Sequence, residues 1–205
     1  MKKICLFLAI IMLALPFAGC SAKNVDLYKE GLSVASIMHE MVNSEEYADM
    51  MGVPNLLEDV TERVKELDFS KPESVYKLSL PTSEELVKNM GIADTYGWDN
   101  IPDTLKTQIE NRVGFSTVAN MINSTMGQEY IAFCSLYSAV VKNEAISAKE
   151  PVTYLYVFNA GIGVAVTFTD GLAQGTFLFE KDLFATDELE QTFAPFGIGF
   201  AEIKA

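Results

Sequence analysis

The sequence predicts an α+β domain in which a helical N-terminal half packs on one face of a C-terminal antiparallel sheet. Two observations carry this. Apolar residues recur at spacings of three and four in residues 25–43, 57–67 and 101–122, and after Pro151 three β-rich runs follow one another across short Gly-containing connections. Helices first and strands later is the order of an α+β chain, not of alternating βαβ units.

The elements follow in sequence. Residues 25–43 place Tyr28, Leu32, Ala35, Met38 and Met41/Val42 on one helical stripe with charges between them. Glu46–Met51 reads as a further helical turn or two, ended by Gly52. Pro54 opens another helix, with Leu57, Val60, Val64 and Leu67 on one side and a solvated charge run on the other, until Lys71-Pro72 breaks it. Ser74–Leu80 alternates and predicts a half-buried strand. Thr82/Ser83-Glu84-Glu85 starts a brief helix closing at Gly91, and residues 93–100 form a loop. Ile101, Leu105, Ile109 and Val113 begin a helix whose continuation past Gly114 has almost no charged face, as a buried helix would.

Tyr130–Val141 suits a covered strand or close helix packing, and a strand is the reading taken. Val152–Phe158, Gly163–Thr169 and Thr176–Glu180 are the three sheet strands, joined by residues 159–162 and 170–175; connections this short force antiparallel pairing. A short helix begins at Thr186/Asp187 and ends at Pro195, and Gly197–Ile203 returns as an edge strand. Residues 25–205 thus form one domain, with no repeat or interdomain linker.

The first residues are of another kind. Lys2-Lys3 precede an unbroken apolar run, Ile4–Leu15, which ends in Pro16-Phe17-Ala18-Gly19-Cys20. That is a secretory signal, shorter than the ~20 apolar residues a helix needs to cross the hydrocarbon core. Phe17-Ala18-Gly19-Cys20 resembles the lipobox of bacterial lipoproteins, with Phe17 where Leu is usual. The resemblance implies cleavage before a diacylated Cys20, so residues 1–19 are the signal peptide and 20–24 a tether at the extracytoplasmic side of a bacterial membrane, inner or outer. Ordinary secretory cleavage, for instance after Ala22, is the alternative.

The full chain of 205 residues carries 15 basic and 28 acidic residues and a formal charge of -13. Losing Lys2 and Lys3 deepens it to -15. Such a balance removes the attraction on which nucleic-acid binding depends, and it keeps a tethered domain off anionic headgroups. Of the three cysteines, Cys5 leaves with the signal, Cys20 takes the lipid, and Cys134 is left alone in an apolar setting, an inert thiol rather than a nucleophile. His39 is the only histidine, so two-histidine metal sites and H-E-x-x-H hydrolases are excluded by counting. Gly161-Ile162-Gly163 lacks the third glycine of a dinucleotide fingerprint and reads as hairpin chemistry. Asp94, Asp99, Asn100 and Asp103 match no calcium loop and read as helix caps.

No catalytic, metal or cofactor residue is therefore assigned. The candidate ligand- or partner-binding residues are aromatic: Tyr96 and Trp98 on a loop, and Tyr154 and Tyr156 at alternate positions of one strand. The expected function is a lipid-anchored, non-catalytic module that binds a small ligand or an envelope protein. An extracytoplasmic hydrolase using paired carboxylates is the alternative.

Overall fold

Residues Leu27–Val42 form the helix that the three-and-four spacing predicts, α1. Its inward stripe runs through Gly31, Val34, Ala35 and Met38, all buried, flanked by half-buried Tyr28, Leu32, Ile37 and Met41. The computed structural model describes residues 10–13, 25–42, 44, 64, 66–82, 85, 88–89, 138–159, 161–179 and 193–203. The helices expected over residues 46–51 and 101–122 lie outside them. Of the helix expected from Pro54, Val64 is described, fully buried and helical, with its carbonyl accepting from Leu67.

The strands are β1 (Ile10–Leu13), β2 (Ser74–Ser79), β3 (Ser138–Lys142), β4 (Val152–Asn159), β5 (Ile162–Thr169), β6 (Leu172–Phe179) and β7 (Gly199–Glu202). They form one sheet in the order β1-β3-β6-β5-β4-β2-β7. Every neighbouring pair from β3 to β7 is antiparallel, and β1 alone joins in parallel, against β3. The described chain is thus α+β, one helix on an antiparallel sheet. β3 falls at the end of the segment that the sequence left between strand and helix; residues 130–137 lie outside the described ones.

β6 begins four residues before its expected start. Asp170-Gly171 alone makes the turn, with Thr169 paired to Leu172 and Gly171 at φ +72°, a conformation glycine adopts without strain. Leu172–Gly175 is therefore strand and not loop. Gly175 sits in the strand because α1 presses on it: a Cβ there would collide with Met38 Sδ and lie 3.0 Å from Val34 Cγ1. The β4–β5 connection is nearly as tight. Asn159 Oδ1 accepts from the Gly161 amide at 2.8 Å, and the register shifts between Val157 and Asn159.

Helix α1 crosses β4, β5 and β6 on one side, the helix face. There Val75, Tyr156, Phe158, Val164, Val166, Phe168, Ala173 and Phe177 form the core with Val34, Ala35 and Met38. A large apolar side chain buried in this way contributes about 1.5–3 kcal/mol. The opposite, second face is buried too: Leu78, Leu155, Val157, Ala165 and Leu178 are all under a tenth exposed.

Three local devices fix the ends. Asn143 joins the exit of β3 to the β5–β6 turn and to α1. Its amide N–H donates to the Gly171 carbonyl at 3.0 Å, its Oδ1 accepts from the Ala145 amide, and its Nδ2 donates to Glu30 Oε1 at 2.8 Å. Thr82 and Glu85 form a reciprocal capping box, the Glu85 carboxylate accepting from the Thr82 amide at 2.7 Å and the Thr82 hydroxyl from the Glu85 amide at 3.2 Å. Before β7 the expected stop at Pro195 is displaced. Pro195 sits inside a 3₁₀ turn, Ala194–Phe196, where its missing N–H costs nothing, and Gly197 at φ +79° ends the turn.

Candidate functional site

The aromatic candidates on β4 belong to the helix face. Tyr156 is fully buried, and its hydroxyl donates to the Tyr28 carbonyl in the first turn of α1 at 2.9 Å. Gly31 makes room for it, since a Cβ at that position would overlap the hydroxyl. Burial pushes the Tyr156 ionisation far above its usual range, with the neighbouring Tyr154 and Tyr28 adding to the shift. Tyr154 is half-buried, its ring 6.4 Å from Tyr156 and 6.1 Å, edge-on, from Phe168. Tyr28 adds a third ring 6.0 Å from Tyr156. Tyr156 is thus the post on which α1 docks, and the rings of Tyr28 and Tyr154 form its rim. Tyr96, Trp98 and Cys20 lie outside the described residues, as do Cys134 and the Asp94–Asp103 loop.

His39 is held in a structural setting. Its ring stacks on Phe69 at 4.4 Å and 16°, and Nε2 lies 3.1 Å from the Val64 carbonyl. A carbonyl only accepts, so Nε2 carries a proton. Phe69 stacks in turn on Phe158 at 4.3 Å, so the imidazole ties α1, Val64 and Phe69 to the sheet.

The second face holds what sequence reading missed. Register places Thr153 of β4, Thr167 of β5 and Gln174 of β6 side by side, with Thr176 two pairs further along β6 on the same face. The Thr153 and Thr167 hydroxyls lie 2.9 Å apart in a hydrogen bond, and all three threonines are almost fully buried. Gln174 Oε1 is buried with no hydrogen-bond partner, the one side-chain oxygen of this kind among the described residues. Leaving such an acceptor unmatched costs about 1–3 kcal/mol, and folded chains rarely do so. At ~4.8 Å between strands, the strip is about 10 Å wide.

The sequence does carry a trace of this strip. Thr153 is out of phase with the 154, 156, 158 aromatic row, so it must point to the other face, which the aromatic emphasis passed over. Gln174, by contrast, falls in residues 170–175, whose composition predicts a connection.

Chemically the strip is neutral. Hydroxyls donate and accept, an amide oxygen accepts, and none of these groups exchanges a proton near neutral pH. The described carboxylates lie elsewhere: apart from half-buried Glu30, paired with Asn143, they are exposed. Asp68 illustrates them. Hydrogen bonds from the Ser70 hydroxyl, then Lys71 and the Ser70 amide, hold its carboxyl at about 2, below the usual 3.8. That turn closes a surface loop. Among the described residues no group of three or more His, Cys, Asp or Glu side chains is placed to hold a metal ion.

Comparison with protein-family models, with curated proteins and with solved structures gives no match. The site therefore stands on this chain's own residues.

Proposed function

We propose that the processed chain is a lipid-anchored extracytoplasmic module of a bacterial envelope that binds through its sheet and does not catalyse. In this reading diacylated Cys20 is the anchor, residues 20–24 are the tether, and further helices of the N-terminal half complete a layer over the sheet. The observation that carries the binding role is the unmatched Gln174 Oε1 beside the Thr153–Thr167 pair. An acceptor held there takes an N–H or O–H from a neutral polar group, and neighbouring hydroxyls orient it. A carboxylate-dependent hydrolase would instead draw on two acids meeting in a closed site, and the described acids are exposed apart from half-buried Glu30, which pairs with Asn143.

Two measurements test the reading separately. Cys20→Ser is expected to move the protein from the membrane fraction to the soluble fraction; a variant that stays in the membrane contradicts the anchor. Native mass spectrometry of the protein purified from its own membranes is expected to show a non-covalent small-molecule adduct that Gln174→Met loses. An adduct-free native protein, or the same adduct on both, contradicts the binding strip.

A further inference from the structure

We propose that the outer edge of β3 is a strand-addition site for an extended, uncharged apolar peptide segment, filled in the unprocessed chain by the leader's own Ile10–Leu13. The inference rests on the reading of residues 1–19 as a removable leader; it concerns what that removal uncovers.

The two ends of the sheet are unlike. At the β7 end the last strand is four residues long, with Ala201 and Glu202 exposed and a charge at its terminus, features that discourage another strand from joining. The β3 end is Ser138-Ala139-Val140-Val141-Lys142, β-branched at its centre, without proline and uncharged until its last residue. Ala139 and Val141 are buried and Val140 is half-buried, so the strand is set firmly in the sheet through its five pairs with β6. Its other side takes β1 in a register of four consecutive pairs, Ile10 with Ser138, Ile11 with Ala139, Met12 with Val140 and Leu13 with Val141.

That seated segment defines the ligand chemistry. It is extended, parallel to β3, and apolar at every paired position, Ile-Ile-Met-Leu. Main-chain hydrogen bonds supply affinity in this mode, and the apolar register supplies the preference. Parallel pairing is the less stable kind, and no tight turn links β1 to β3, so the leader strand can be exchanged for an intermolecular one. Once residues 1–19 are gone, the same edge is left with unpaired backbone donors and acceptors, which favour a new strand. The class of segment that fits is the apolar core of another exported leader, like the Ile10–Leu13 segment seated there.

The test uses the full chain in dodecyl maltoside with hydrogen–deuterium exchange read at residues 138–142. Ile11→Pro, which cannot pair in β1, is expected to speed exchange there about tenfold or more while residues 152–169 stay protected, which shows that the sheet remains folded. A synthetic peptide of residues 8–15 flanked by lysines is expected to restore the protection, and the same peptide carrying Ile11→Pro is not. Unchanged slow exchange in the Ile11→Pro chain overturns the proposal, because the edge is then covered by something other than β1. Protection that returns with protein concentration alone overturns it in favour of a second copy as occupant. Restoration by both peptides equally overturns strand pairing as the mode. None of these outcomes depends on lipidation of Cys20, so failure here is distinguishable from failure of the anchor.

Discussion

The two faces of the sheet are buried to the same degree and built from opposite chemistry. On the helix face, α1 is keyed to the sheet by two glycines: Gly31 receives the Tyr156 hydroxyl and Gly175 receives Met38. The polar group carried into that face, the Tyr156 phenol, is satisfied by the Tyr28 carbonyl. On the second face, a strip of threonines ends in an amide oxygen with no partner. The helix face satisfies the phenol it buries, whereas the second face carries one acceptor without a partner at a cost of about 1–3 kcal/mol.

The helix face breaks most easily at its keys. Gly31→Ala places a methyl group in the Tyr156 hydroxyl and is expected to cost about 3 kcal/mol in urea unfolding, the scale of an overpacked core. Tyr156→Phe alone is expected to cost about 1 kcal/mol, the value of one hydrogen bond. Because the phenylalanine lacks the oxygen that Gly31→Ala strikes, the double variant is expected to lose less than the sum. Strict additivity would show that the two residues do not meet.

The second face is expected to answer differently. Thr153→Val removes the hydrogen bond to Thr167 and is expected to cost about 1 kcal/mol, and adding Thr167→Val is expected to cost less than the two single variants combined, because they share that bond. A double variant as unstable as the two singles combined would mean that the hydroxyls serve separate partners.

The faces also differ in response to pH. Tyr156 ionises far above its unfolded value near 10, so its contribution is complete below pH 10 and is lost as the pH rises beyond that. Unfolding midpoints measured from pH 9 to 12 are expected to fall, and Tyr156→Phe is expected to flatten that fall. The smallest effect belongs to the surface. Asp68, held at about 2 against 3.8 unfolded, contributes stability above pH 3.8 that disappears as the pH drops through about 2. Asp68→Asn is expected to remove only that shallow acid slope, read as the difference between the two acid titrations.

Much of the framework was legible because it depends on local pattern. The apolar spacing over residues 25–43 located α1 to within two residues at its start, alternation located β2, and β-rich runs between short Gly-containing connections located β4 and β5. The start of β6 was not legible. Gln174-Gly175 looks like turn chemistry until α1 is laid across it, and Gly175 is glycine because Met38 needs the space. The site escaped for a related reason. That Tyr156 is a docking post for α1 depends on a helix 128 residues away in sequence. The meaning of Gln174 depends on its pairing with Thr167, seven residues earlier, which shows only once the turn is placed at Asp170-Gly171. Hairpin register, not composition, brings the polar strip together.

Urea unfolding of Gln174→Met tests the contrast between the faces most directly. Methionine matches glutamine closely in length and removes the unmatched oxygen from the second face, so the account predicts a variant more stable than the native chain by about 1–2 kcal/mol. A loss of 1 kcal/mol or more would contradict it, because the amide would then be satisfied within the fold and the second face would be as self-sufficient as the first.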